Sequence, residues 1–224
     1  MYYIESLYRF FEEISRNNNR EWFAANKHRY DDLRQQWMAD LDRLTSHMAS
    51  WEPDLAGQNA KSAAYRFYRD TRFSPDKSPY KHYFAAAISA YGRKSQHAAY
   101  YLQMGLPTSY GDSGLYGGLW CPDSKTLNKV RRAIVDNIEE FESIIHSDPM
   151  KRLYPEWVGE ALKTVPKGWD RNHPNADLLR LKDYGKYHHC DERFFLDPSW
   201  PERASELFRV LKPLNDFLNY SIDE

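Results

Sequence analysis

The spacing of the apolar residues changes twice along the chain, and those two changes restrict it to a mixed α and β fold. In the opening segment Ile4, Leu7, Tyr8, Phe11 and Ile14 recur at helical intervals until the run Asn17-Asn18-Asn19 interrupts them. A second helix then carries Tyr30, Leu33, Trp37, Leu41, Leu44 and Met48 as a single stripe that ends at Trp51-Glu52-Pro53. Asn18, followed three residues later by Glu21, has the form of a capping box for its start. From Ser62 to Trp120 the pattern alternates instead. Ala63, Tyr65 and Phe67 alternate with Arg66 and Tyr68, and the runs Tyr83 to Tyr91 and Ala98 to Met104 read as further strands. The stretch from Asp70 to Lys81 is too long for a hairpin.

Helical spacing returns after Asp123 or Ser124, with Leu127, Val130, Ile134, Ile138, Phe141 and Ile145 along one side of a long helix. Shorter helical pieces are expected near 155–163, 175–182 and 201–218. Helices, then strands, then helices describe an α+β domain. Its one mainly antiparallel sheet of about four strands lies in the middle of the chain, flanked by N-terminal and C-terminal helices. At 224 residues, with no repeat or linker, the expectation is a single domain over 1–224.

Composition narrows the partners. The net charge is -1, so no long-range field draws the chain to nucleic acid or an anionic membrane, and anion binding has to be local. Two cysteines, Cys121 and Cys190, are too few for a disulfide framework and are expected to be free thiols of a cytoplasmic, reducing setting. No run approaches transmembrane length. Aromatic residues make up 16% of the chain, and their polar tips ask for partners at the edge of a core or around a cleft.

The segment from Lys61 to Lys81 holds six basic residues, Lys61, Arg66, Arg69, Arg72, Lys77 and Lys81, against the two acids Asp70 and Asp76. On a strand Arg66, Tyr68 and Asp70 share a face, with Arg69 on the other. Arg72, Lys77 and Lys81 belong to a loop pinned by Pro75 and Pro79. Arg20, Phe23, Lys27 and Tyr30 run along one side of the second helix. Facing each other, stripe and loop would form a cationic pocket with aromatic walls. Guanidinium forks there would hold a phosphate- or carboxylate-bearing ligand, with Glu21, Tyr68, Asp70 and Tyr80 in support. If chemistry follows, of a hydrolase or transferase kind, Asp70 or Glu21 is the base and the arginines stabilise charge. The alternative is a non-catalytic interaction or scaffold domain. There Arg66, Arg69 and Arg72 would pair with Asp70, Asp76 and Glu21 in a structural network.

Other motifs are read blandly. The glycine-rich stretch Gly111 to Gly118 matches neither phosphate-binding fingerprint and is expected to be a turn and a close-packed strand. His188-His189-Cys190-Asp191 is expected to be an exposed loop rather than a metal site, because adjacent side chains diverge. Asp170 and His173 read as a helix entry or an Asx-type turn before Pro174 rather than an acid and base pair, and Cys121 as a packed residue at the start of a helix. No Ser-His-Asp set can be assembled from the sequence. Nothing in it sets a cofactor or an oligomeric state.

Several fragments taken together resemble the domain of unknown function 2461 family. They are Asn18 to Phe23 with Asn26-Lys27 and Tyr30, Arg66 to Ser74, Asp76 to Lys81, Tyr100-Tyr101, Gly117 to Trp120 with Pro122, Pro166 to Gly168, and His173-Pro174. The matched pieces run from about residue 10 to about residue 184. The resemblance implies a single domain of a widespread microbial family; it implies no reaction and assigns no catalytic residue.

Overall fold

The first apolar stripe forms α1 (Ile4–Arg16), which buries Ile4, Leu7, Tyr8, Phe10, Phe11 and Ile14. The second forms α2 (Arg20–Ala49), burying Phe23, Leu33, Trp37, Leu41, Leu44 and Met48 on one side. The capping residue of α2 is Asn19, whose side chain accepts from the Trp22 N–H at 2.9 Å, and not Asn18 as the capping-box reading had it. Three consecutive asparagines satisfy the capping chemistry equally well, and Asn18 is engaged elsewhere.

The computed structural model describes residues 2–108 and 111–224. After a short 3-10 turn the chain continues through α3 (Ala60–Ala63), β1 (Tyr83–Ile88), β2 (Ala99–Gly105) and β3 (Gly114–Leu119). Then follow α4 (Ser124–Asp136), α5 (Ile138–Ile145), α6 (Asp148–Leu153), β4 (Trp157–Val158), α7 (Ala176–Arg180) and β5 (Tyr184–His189). The chain closes with α8 (Glu192–Leu196), α9 (Trp200–Val210) and α10 (Lys212–Asp223). The fold is α+β, with one mainly antiparallel sheet in the order β1-β2-β3-β5-β4. Within it β4 sets Trp157 opposite Lys186 and Val158 opposite Gly185.

Four local expectations are corrected. Ala63 closes the one-turn helix α3, made by a reciprocal Asn59 and Ser62 capping box, instead of starting a strand. The long helix breaks at Asn137, whose backbone leaves helical geometry at φ -127° and ψ 42° and whose side-chain amide donates to the Ala133 carbonyl at 3.0 Å, beside the helix's own last backbone bond to that oxygen at 2.9 Å. The helix expected near 155–163 is replaced by β4, and β5 was not foreseen. The sheet therefore has five strands among the described residues, not about four.

The chain condenses into two compact units. The first comprises Met1–Arg93, Tyr101–Leu115 and His189–Glu206. Its core is aromatic: the Phe84 ring lies 5.1 Å from Phe11, 5.0 Å from Trp37 and 5.7 Å from Phe67. Buried Asp40 accepts from Tyr2, from Trp200 Nε1 at 3.2 Å and from Arg43 at 3.0 Å, which ties the residues before α1 to α2 and α9 by a carboxylate that is itself satisfied.

The second unit comprises Lys94–Tyr100, Tyr116–His188 and Leu207–Glu224. Phe141 centres its core, 5.1 Å from Phe217 and 6.1 Å from a parallel Trp157. Gly118 sits at φ +130°, and a Cβ there would lie 2.1 Å from the Tyr184 carbonyl oxygen, so only glycine lets β3 approach β5. The glycine-rich stretch is thus a close-packed strand, as expected. The fold also assembles a Ser, His and Asp chain that the sequence did not reveal. Ser95 Oγ lies 2.7 Å from His97 Nδ1, and His97 Nε2 lies 2.7 Å from Asp223 Oδ1. Because Ser95 Oγ also accepts the His97 backbone N–H and Asp223 is half exposed, we read the chain as a tie from the start of β2 to α10. Among the described residues no helix is long and apolar enough to cross a membrane.

Candidate functional site

The basic segment belongs to the first unit, where it folds back on itself. The Tyr65 N–H donates to the Ala85 carbonyl at 2.9 Å, which lays residues 64–65 beside β1. Then Lys81 N–H to Phe67 O, at 3.0 Å, and Arg69 N–H to Pro79 O, at 2.9 Å, make an antiparallel ribbon with Tyr68 opposite Tyr80. The segment is therefore a hairpin with a long loop over 70–78, contrary to the length argument. What permits so long a loop is Asn18. Its side-chain amide donates to the Tyr80 carbonyl at 2.8 Å and accepts the Tyr80 N–H at 3.0 Å, so it pairs with the ribbon as a third strand would. Phe23 stacks on the Tyr80 ring at 4.1 Å. Asn18→Ala should leave both Tyr80 backbone groups without their partner and cost about 1–3 kcal/mol. Urea unfolding checks the loss, and hydrogen exchange at the Tyr80 amide checks its location.

Most of the loop's charges are paired within the loop. Arg69 pairs with Asp76 and donates to Ser78 O at 3.1 Å and Ser74 Oγ at 3.3 Å. Arg72 grips Asp70 through Nε at 3.0 Å and Nη2 at 2.7 Å, and Arg66 approaches the same carboxylate at 3.8 Å. Hydrogen bonds from the Arg72 side chain hold Asp70 down at about 2, and those from Ser78 first, then Arg69, hold Asp76 there too. Lys77 donates to the Thr71 carbonyl at 2.9 Å.

The stripe on α2 divides. Phe23 and Tyr30 turn inward against Phe67, at 5.9 and 4.8 Å, whereas Lys27 pairs with Asp31 at 2.6 Å. Arg20 and Glu21 are exposed at the helix start, and Glu21 joins no ion pair among the described residues. Tyr68 is half exposed, 5.2 Å from Tyr80.

Lys81 is the exception. Half-buried, its ammonium lies 5.4 Å from the Tyr65 ring centre and 5.2 Å from that of Tyr83, and among the described residues no carboxylate pairs with it. Burial first, then the charges of Arg66 and Arg34, lower its pKa from the ordinary 10.5 to about 8. Arg34 of α2 is the residue that sequence reasoning missed. Its guanidinium lies 5.1 Å from Trp37 and 5.3 Å from Phe84, and one terminal nitrogen donates to the Tyr65 carbonyl at 3.3 Å. Its other terminal nitrogen, Nη1, is buried with no hydrogen-bond partner, and burial lowers the group's pKa. Arg93 covers the Tyr65 ring at 6.0 Å and donates to the Ala64 carbonyl. Tyr101 lies 6.2 Å from Tyr65 and donates to Gln103 at 3.1 Å. Arg34 and Arg66 thus stand near enough for their charges to act on Lys81, which lies beside the two tyrosine rings, while the Arg66 side chain is exposed. Asp70, the acid that pairs with Arg66 among the described residues, is already held by Arg72.

The remaining motifs fall elsewhere. His188 and His189 end β5 and Cys190 is buried, so this run is not the exposed loop expected; His188 Nδ1 lies 2.8 Å from the Leu153 carbonyl. Asp170 accepts the Asn172 N–H at 2.8 Å, which makes the expected turn. Cys121 is exposed rather than packed, at φ +47°, with its N–H donating to buried Asp183. Burial and Asp183 push its thiol up, away from nucleophilic use.

No curated protein and no solved structure matches the chain. The model of one family, described as conserved hypothetical protein (DUF2461), matches residues 6–217, a span that takes in the ribbon, Arg34 and the whole sheet, and the chain belongs to that family.

Proposed function

We propose that the protein binds a small anionic ligand, bearing a phosphate or carboxylate, at the cluster of Arg34, Arg66 and Lys81 beside the rings of Tyr65 and Tyr83. The observation that supports this reading is the mismatch of charge. A half-buried ammonium lacks an acidic partner while two guanidiniums stand close enough to lower its pKa, and one of these carries a buried N–H without an acceptor. An anion seated there would give the three cations a shared partner and the orphan N–H an acceptor. The tyrosine rings supply flat walls for a planar or sugar-like body. Compared with the pocket expected from the sequence, Lys81 and Arg66 stay, Arg34 enters, and Arg69, Arg72, Lys77 and Lys27 serve structure.

Thermal unfolding against inorganic phosphate, pyrophosphate and citrate tests the reading. The midpoint should rise for the wild type and for Arg72→Ala, and not for Arg66→Ala or Lys81→Met. An equal rise in all four proteins would place the anion elsewhere.

A second reading has its own observation. The Arg69–Asp76 and Arg72–Asp70 pairs are closed within residues 69–76, and Phe73 in the loop is 93% exposed. A loop stiffened by internal pairs and bearing an exposed apolar ring suits an interaction domain. On that reading none of the anions moves the midpoint of any variant.

A further inference from the structure

We propose that Lys81 is a nucleophilic amine that captures the carbonyl carbon of a small anionic aldehyde or 2-oxo acid as a Schiff base, with Arg34 and Arg66 facing the substrate's phosphate or carboxylate. The inference rests on the anion-binding reading above and adds a covalent step to it.

A nucleophilic lysine needs a fixed stem, a nitrogen free of acids, and surroundings that penalise its charge. The root of the stem is fixed, because the Lys81 backbone N–H donates to the Phe67 carbonyl at 3.0 Å and the preceding residue, Tyr80, is held at both its N–H and its carbonyl by Asn18. The nitrogen lies between two tyrosine rings, at 5.4 and 5.2 Å from their centres, without a carboxylate. The surroundings are cationic. Among the described residues this combination sets Lys81 apart. Lys27 pairs with Asp31, Lys182 with Glu160 and Lys212 with Asp216, so each of these already has a carboxylate partner. Lys186 is buried and its pKa is lowered by desolvation, but it donates to the Pro155 carbonyl at 3.2 Å and feels the opposite charge of Glu156. With its pKa at about 8, roughly a tenth of Lys81 is the free amine at pH 7, against less than about one part in a thousand for an ordinary lysine.

The step balances within these groups. The amine lone pair forms a C–N bond as the carbonyl π pair moves to oxygen, and the proton displaced from nitrogen passes to that oxygen, giving a carbinolamine. Uptake of one proton from solvent and loss of water leave a protonated C=N bond. That product carries the positive charge the amine had shed, and the substrate's own phosphate or carboxylate offsets it. The arginines have no removable proton at this pH and serve to orient the anionic end.

Pyridoxal 5′-phosphate, an aldehyde with a phosphate, is the probe: incubation at pH 7, reduction with borohydride, and peptide mapping by mass. The adduct is expected on Lys81 at least tenfold above Lys77 and Lys186, and no other lysine should replace it in Lys81→Arg, whose thermal midpoint shows that the fold is kept. Label spread over the exposed lysines, or concentrated on another one, overturns the inference. Pyridoxine 5′-phosphate, which keeps the phosphate and lacks the carbonyl, separates the two readings. If it raises the thermal midpoint while the aldehyde leaves no adduct on Lys81, the anion site stands and the amine step falls. If it has no effect and non-phosphorylated pyridoxal labels Lys81 equally well, the amine step stands and the anion site falls.

Discussion

Phe84→Ala is expected to lower the stability of the protein by about 3–5 kcal/mol, the range for deleting a fully enclosed aromatic ring. Phe84 is 2% exposed and stands on β1 where four other rings meet: Phe11, Trp37 and Phe67 within 5.7 Å, and Tyr30 at 6.1 Å. Those neighbours come from α1, α2 and the ribbon, so the gap cannot be filled by one side chain sliding inward. The Arg34 guanidinium also rests on the Phe84 face at 5.3 Å, so the same substitution should loosen the cationic cluster. Urea unfolding gives the loss of stability, and Phe84→Leu, which keeps most of the volume, should recover over half of it. A loss below about 1 kcal/mol would mean that this core is not packed around Phe84.

Lys81→Met is expected to raise stability at pH 7 while weakening anion binding at least tenfold. The sign follows from proton linkage. The pKa of Lys81 is about 8 in the folded protein and 10.5 in its ordinary setting, so between those values the unfolded chain binds more protons. Stability therefore rises with pH across that window, and the penalty of a charged, half-buried ammonium is fully present below about 8. Methionine has nearly the same length and no charge to desolvate. The gain at pH 7 should be on the order of 1 kcal/mol once solvent screening is allowed for, and it should shrink as the pH is raised through 8 towards 10.5. Urea unfolding of both proteins at pH 7 and at a pH near the upper limit measures it. A variant less stable at pH 7, with no pH dependence of the difference, would show that Lys81 is an ordinary packing residue. Higher stability with lost binding is the pattern expected where a residue is kept for function against the stability of the fold.

What could be read from the sequence follows from what side-chain periodicity encodes. The stripes of α1 and α2 were legible because Leu7, Phe11, Leu33, Trp37 and Leu41 must all reach one core. Strand β5 was not, since Tyr184-Gly185-Lys186-Tyr187-His188-His189 has no apolar alternation and is held by its neighbours in the sheet. The break at Asn137 was hidden because Ile134, Ile138 and Phe141 keep helical spacing across it. Asn19 rather than Asn18 caps the helix because a choice between adjacent, identical side chains is made by the ribbon, whose Tyr80 lies 62 residues further on.

The candidate site divides in the same way. Lys81 and Arg66 were visible as members of a basic run, but a run does not show which of its members meet acids. Arg69 and Arg72 meet Asp76 and Asp70, which lie seven and two residues away, close enough for a loop to close on itself. Arg34 carried a signal that went unused: a guanidinium at the edge of the apolar stripe, next to Leu33, four residues after Tyr30 and three before Trp37. A charge so placed is either at the margin of the buried face or half-desolvated, and here it is the latter.

Whether Lys81 stands in a site that lacks its negative partner is tested most directly by an NMR titration of its ε-carbon, run without and with inorganic phosphate. A midpoint at about 8 that moves upward when phosphate is added is the result expected. A midpoint near 10.5 that phosphate does not move would contradict it.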